Sequence, residues 1–316
     1  MRKNSSKPMR IVVVGAGLMG RGIGQSFAVG GHQVTLVDLD NKILKQAVAK
    51  IKESLSFMKT EGLLKESPEE VTDRISLETD VGNAVSRADY VEEAIFEDLN
   101  AKKMVFAKMD SANHDCILAS NTSGLPITVL ASVTTNPERV VGAHFWNPPY
   151  LMQAVEVVRG EETSSETMEK TVALLKGIGK KPAVVQKDVP GQIGIRILYA
   201  MIREATWLVE NGVATPEDID SVVREAIGTR LEVLGPLELS DLSGVDLVNA
   251  VARNVYKSLD SSKESQRLVK EMVARGDVGI KSGKGFYDWK GKEGRDPDSV
   301  IKMRDEHLVT LMQRKQ

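Results

Sequence analysis

An α/β half followed by an all-helical half is the fold class that the 316-residue sequence predicts, and three observations carry it. Up to about residue 188, short apolar runs alternate with amphipathic stretches. That is the pattern of strands joined by helices in a largely parallel sheet covered on both faces. The first apolar run passes straight into a glycine-rich turn. Beyond Lys187-Asp188-Val189-Pro190-Gly191 the apolar spacing is almost entirely helical. The boundary is therefore drawn with residues 1–188 as a doubly wound domain and 189–316 as a helical one, and roughly 150 residues per domain agrees with two.

Taken in order, Arg10–Val14 reads as a strand and Gly17–Gly30 as a helix. Gln33–Val37 is a second strand, and Asn41–Thr60 a long helix capped by Asp40 or Asn41. Tyr90–Glu93, Cys116–Ser120, Val140–His144, Ala154–Val158 and Ala183–Val185 follow as strands, with helices over Leu99–Ser111 and Ser165–Gly177. In the second half, Ile193–Asn211 has helical apolar spacing and stops near Gly212. Thr215-Pro216 and Gly235-Pro236 each start a helix, because proline suits a first helical position. Val245–Ser258 and Glu264–Ala274 are further helices, and the charged segment from Arg295 is a surface helix. No repeat of fixed period is present.

Composition narrows the function. Lys plus Arg is 42 against 44 Asp plus Glu, a net charge of -2, so there is no basic excess for nucleic acid and no reason to expect a membrane surface. A single cysteine, Cys116, forbids an internal disulfide and a cysteine-based zinc site, and no metal is expected. It fits a reducing cytoplasm. Met1–Pro8 is short, polar and basic, with no apolar stretch after it, so it reads as a disordered lead-in rather than a signal peptide.

The glycine turn is Val14-Gly15-Ala16-Gly17-Leu18-Met19-Gly20, G-x-G-x-x-G between a strand and a helix. The second strand then ends in an acid, Asp38. This is the Rossmann-type dinucleotide fingerprint, in which each part has a role. Gly15 permits the tight turn, Gly17 lets a pyrophosphate approach the backbone, and Gly20 lets helix pack on strand. The free N–H groups at the helix start, among Leu18 and Met19, hold the anion. Asp38 would accept from the ribose hydroxyls and repel a 2′-phosphate, which selects NAD over NADP; a flavin uses the same fingerprint.

Four histidines occur: His32, His114, His144 and His307. His144 alone ends an apolar strand and leads into a proline-stiffened loop, Phe145-Trp146-Asn147-Pro148-Pro149. The carboxyl ends of parallel strands are where open α/β sheets hold ligands. Glu156 lies inside the apolar run Ala154–Val158; it either faces water by simple alternation or pairs with an imidazole, which it would orient. Ser120-Asn121-Thr122-Ser123-Gly124 follows a strand, and its small polar groups either contact a ligand or cap the helix starting near Pro126.

Together these segments resemble the NAD-dependent L-3-hydroxyacyl-CoA dehydrogenases over nearly all of residues 9–290. The pieces that carry the resemblance are the glycine turn, Ala119-Ser120-Asn121-Thr122-Ser123, His144-Phe145-Trp146-Asn147-Pro148, Asp188-Val189-Pro190-Gly191, Gly235-Pro236-Leu237-Glu238-Leu239 and Lys281-Ser282-Gly283-Lys284-Gly285-Phe286-Tyr287. The resemblance implies that His144 is the general base and Glu156 its carboxylate partner. It implies that Ser123 contacts the reacting oxygen, and that Asn147 lies near nicotinamide and histidine. Glu97, Lys102 and Lys281 would line the NAD site, Ser54 would contact coenzyme A, and the helical domain would form a homodimer.

Two residues depart from the pattern. Ile195 stands where the family carries an Asn that donates to the substrate carbonyl, a loss worth about 1–3 kcal/mol unless replaced. Gln192 is one helical turn upstream and replaces that donor if the segment is already helical. Glu61 stands where the family has a Lys near coenzyme A, with Lys59 close by. The activity the resemblance implies is NAD-dependent oxidation of a 3-hydroxyacyl-CoA. Its rivals are oxidation of a small hydroxy acid or ring alcohol without coenzyme A, a direction in which Asn147-Pro148-Pro149-Tyr150 also points, and an NADH-binding protein without turnover.

Overall fold

The computed structural model describes residues 7–290 and 295–314. The first six residues of the expected lead-in lie outside them. The chain divides into two compact units: residues up to Arg196 together with those from Arg304 onward, and Ile197–Met303 between them.

The first unit is built on eight strands: β1 Arg10–Val14, β2 Gln33–Val37, β3 Ile75–Glu78, β4 Tyr90–Glu93, β5 Ile117–Ser120, β6 Val140–Phe145, β7 Ala154–Val158 and β8 Lys181–Val185. Their order is β3-β2-β1-β4-β5-β6-β7-β8. All neighbours are parallel except β6 and β7, which run antiparallel. The chain winds outward from β1 to β3 and then returns to place β4 on the other side of β1. The order therefore reverses between β1 and β4, and a crevice opens beyond their carboxyl ends. The main helices of this unit are α1 Leu18–Val29, α2 Asn41–Thr60, α3 Leu99–Ala112 and α4 Ser165–Gly177.

Alternation along the strands explains the two faces of the sheet. Ile11 and Val13 of β1, with Val34, Leu36 and Tyr90, face Phe27 of α1, Leu44 and Ile51 of α2 and Leu175 of α4. Val12 and Val14, with Val37, Val91 and Leu118, face Phe106 and Met109 of α3. Asp40 is the residue that caps α2, accepting from the N–H of Lys42 at 2.7 Å. The edge strand β3, which the sequence reading leaves out, alternates Ile75-Ser76-Leu77-Glu78 over four residues only and is half-exposed to exposed along its length, too short a run to stand out.

The second unit is helical. α5 Gly194–Glu210 leads into it, followed by α6 Pro216–Val222, α7 Pro236–Ser243, α8 Val245–Val255 and α9 Arg267–Arg275. Thr215 caps α6 by accepting from the N–H of Asp218. α10, Pro297–Arg314, returns the chain to the first unit. Among the described residues no helix is long and apolar enough to cross a membrane.

Candidate active site

The antiparallel turn of the chain between β6 and β7 sets His144 directly opposite Glu156. Both side chains are buried, and His144 Nδ1 lies 2.9 Å from Glu156 Oε2. The other carboxylate oxygen, Oε1, accepts from the backbone N–H groups of Ile193 (2.8 Å) and Gly194 (2.9 Å), at the start of α5. Burial alone would raise the Glu156 carboxyl. The bonds from His144, Gly194 and Ile193 outweigh it and hold the group below its usual range. A fixed anion therefore stands behind the imidazole. Trp146 closes one side, its ring edge-on to His144 at 5.1 Å.

The opposite ring nitrogen, His144 Nε2, is 3.3 Å from Ser123 Oγ. Ser123 is exposed, on the loop after β5. Three bonds to one carboxylate oxygen hold that loop: Glu97 Oε1 accepts from Thr122 Oγ1 (2.6 Å), Ser123 N–H (3.0 Å) and Gly124 N–H (3.1 Å). Lys102 is buried, its Nζ 2.7 Å from Glu93 Oε1 and 3.4 Å from Glu97 Oε2. Burial would raise Glu97, but Thr122, Lys102 and the two N–H groups keep it low. Asn121 adds a fastening that sequence reasoning misses: its Oδ1 accepts from the Phe145 N–H at 2.7 Å, tying the serine loop to the histidine strand. An isolated Asn in a turn carries no signal for that role.

The glycine turn lies at the crevice between β1 and β4. Two of its glycines serve the chain itself. A Cβ on Gly15, whose φ is +99°, would sit 2.7 Å from the Ala94 carbonyl oxygen, and one on Gly20 only 1.7 Å from that of Gly15. A Cβ on Gly17 would meet nothing within 4 Å. The protein has no packing need for glycine there, and the open space lies against the N-terminus of α1, as a pyrophosphate requires. Asp38, just past β2, accepts from the Ala16 N–H at 3.0 Å and so braces the turn. The residues present fit a dinucleotide.

The remaining expected residues lie elsewhere. Asn147 is exposed at the end of β6, before a cis peptide to Pro148. Lys180, whose ammonium burial pushes down to about 8, donates to the carbonyls of Pro149 (2.5 Å) and Met152 (3.0 Å) and holds the following loop. The Ser54 hydroxyl is engaged on α2 by Gln25 Oε1 at 2.6 Å. Lys281 belongs to the second unit, in the turn between Gly279 and Lys284. Gln192 does not stand one helical turn before Ile195. Its φ is +49°, α5 starts only at Gly194, and its buried Nε2 donates to the Thr122 carbonyl at 3.1 Å. It braces the serine loop, so the donor lost at Ile195 is not restored from there.

Two family patterns divide the chain: 3-hydroxyacyl-CoA dehydrogenase, NAD binding domain, matches residues 10–189, and 3-hydroxyacyl-CoA dehydrogenase, C-terminal domain, matches 191–289. A 5-formyl-3-hydroxy-2-methylpyridine 4-carboxylate 5-dehydrogenase from Mesorhizobium japonicum is 37% identical over 278 residues, 88% of this chain and 89% of its own. A probable 3-hydroxybutyryl-CoA dehydrogenase from Bacillus subtilis is 39% identical over 286 residues, 90% of this chain and 98% of its own. Among solved structures, a 5-formyl-3-hydroxy-2-methylpyridine 4-carboxylic acid 5-dehydrogenase, described as an NAD+-dependent dismutase, superposes with a TM-score of 0.87 at 33% identity, covering 98% of each chain.

Proposed function

This chain belongs to the 3-hydroxyacyl-CoA dehydrogenase family, whose members are NAD-dependent oxidoreductases, and from that premise we propose that it oxidises a small hydroxy compound without coenzyme A, with His144 as the general base. The observation that carries the base is the chain Glu156–His144–Ser123, with contacts of 2.9 Å and 3.3 Å, in which the carboxylate and imidazole are buried and the serine is exposed. NAD, when bound, supplies the hydride acceptor. Gly17, the N-terminal N–H groups of α1 and Asp38 would hold it. Ser123 donates to or accepts from the reacting oxygen, which brings the hydroxyl proton within reach of His144 Nε2. Glu156 keeps Nδ1 protonated, so Nε2 is free to accept, and it steadies the imidazolium that results.

The small substrate is supported by three features. Ile195 offers no donor to a thioester carbonyl. Ser54 is engaged by Gln25, and the nearby Lys59 spends its ammonium on the Lys65 carbonyl at 2.6 Å, while Glu61 adds a negative charge. The superposition on the pyridine dehydrogenase covers 98% of each chain. The second reading, an acyl-CoA substrate, is favoured by the two family patterns and by the B. subtilis relative. We also propose a homodimer through the helical unit, where Leu237, Leu242, Val245 and Val251 are exposed apolar residues on α7 and α8. The single buried cysteine, Cys116, suits a cytoplasmic enzyme.

The test of mechanism is His144→Gln. Turnover should fall by about 10²–10⁴ while NADH binds as before. Unchanged turnover would remove His144 from the mechanism. NADH-linked reduction of free acetoacetate and of acetoacetyl-CoA, side by side, separates the two substrate readings.

A further inference from the structure

The terminal helix α10 is the segment that neither the fold class nor the chemistry has used. Its second half belongs to the first unit, not to the helical unit from which it emerges. Val309 is 1% exposed, and Asp305, Leu308 and Met312 are half-buried on the same face, the spacing of one helical stripe. The stripe meets the first unit at two places. At one, the negative charge of Asp305 is felt by the phenol of Tyr150, in the loop that follows His144. Eight residues on, Gln313 Nε2 donates to the Glu61 carbonyl at 2.9 Å, at the C-terminal end of α2. At 1.5 Å per residue that is a span of about 12 Å. The helix therefore lies as a strap from the catalytic-loop side of the unit to the end of α2.

A substrate with a long handle has to lead that handle out of the site over the protein surface. Over this stretch the surface is covered by the protein's own chain, held by the Gln313 amide at one end and by the buried Val309 between that amide and Asp305. We propose that residues 304–314 of α10 are a specificity element, a fixed wall that confines the enzyme to compact substrates and shuts out acyl-CoA. This rests on the small-substrate reading above and gives it a physical cause. It is also consistent with the pyridine dehydrogenase superposition, whose 98% coverage of this chain leaves too few residues unmatched to omit the helix.

The experiment compares the full chain with a chain ending at Met303, and with full-length Val309→Asp, which lifts the helix without removing it and serves if the shortened chain does not fold. Two readouts are taken on the NADH-loaded protein. In turnover, kcat/KM on acetoacetyl-CoA should rise at least about tenfold in either variant, while that on free acetoacetate moves less than about threefold. In hydrogen exchange, coenzyme A should protect the amides of α2 in the variants and leave them unchanged in the full chain. Protection of α2 by coenzyme A in the full chain, or no gain in either readout on lifting the helix, overturns the proposal. If coenzyme A protects α2 only in the variants, yet no keto compound is reduced by any form, the wall stands and the dehydrogenase reading of the site fails instead.

Discussion

Gly17 and Gly20 are three residues apart in one turn, and the space around them differs completely. A methyl on Gly20 would overlap the Gly15 carbonyl oxygen, so Gly20→Ala must move the backbone of α1 against β1 and should cost more than about 3 kcal/mol. Gly17→Ala adds its methyl to open space. It should change stability by less than about 1 kcal/mol, yet weaken NADH tenfold or more, because the methyl occupies room the pyrophosphate needs. Thermal melts paired with NADH fluorescence titration separate the two; a Gly17→Ala enzyme that binds NADH normally contradicts the fingerprint reading. Glu92 gives a residue-scale prediction about pH. It is fully buried and accepts from Tyr90 at 2.8 Å, while burial pushes its carboxyl well up. Its folded pKa lies above its unfolded one, so the native state holds the proton longer. Stability is therefore complete below about pH 4 and falls by about 1.4 kcal/mol per pH unit until the folded pKa is reached. Glu92→Gln should gain on wild type as pH rises from 5 to 8 in urea unfolding. An equal gap at both pH values would show the group ionised in the fold.

At the scale of elements, the strand and helix order up to residue 188 follows from periodicity, because parallel strands buried on both faces read as continuous apolar runs. The edge strand β3 is missed because its alternation, Ile75-Ser76-Leu77-Glu78, lasts only four residues. The active-site elements were legible unevenly. The strand end at His144 and the glycine turn announce themselves by composition. Whether Glu156 faces water or the histidine was open in the sequence, for one acid in an apolar run fits both, and only the antiparallel pairing of β6 with β7 decides it. The anchoring of that carboxylate by the N-terminus of α5 has no sequence signal, because backbone N–H groups supply it. Gln192 misleads for a related reason: sequence spacing suggests a helical turn, but the backbone is left-handed there and the helix has not begun. Caps are more readable. Asp40→Ala removes the side-chain acceptor at the start of α2 and should cost about 0.5–2 kcal/mol, measured by chemical denaturation. A null effect would show that tertiary packing of Leu44, Ala47 and Ile51 alone fixes that helix start.

At the scale of the whole molecule, the apolar residues exposed on the helical unit and the path of α10 bear on assembly. Leu242 is 74% exposed and Val251 51% exposed, more than an isolated subunit gains from leaving in water. Leu242→Asp with Val251→Asp should convert a dimer into a monomer, read by light scattering; a wild type that is monomeric at micromolar concentration discards the proposed homodimer. The split of the first unit into an early and a late stretch of chain has a consequence for synthesis. About a hundred residues, Ile197–Met303, leave the ribosome between the sheet and the helix that finishes it. At ribosomal speeds that is an interval of roughly five to twenty seconds. Through it, the first unit lacks the segment that carries Val309, buried in the finished fold, which marks this interval as the one in which a folding helper has something to hold.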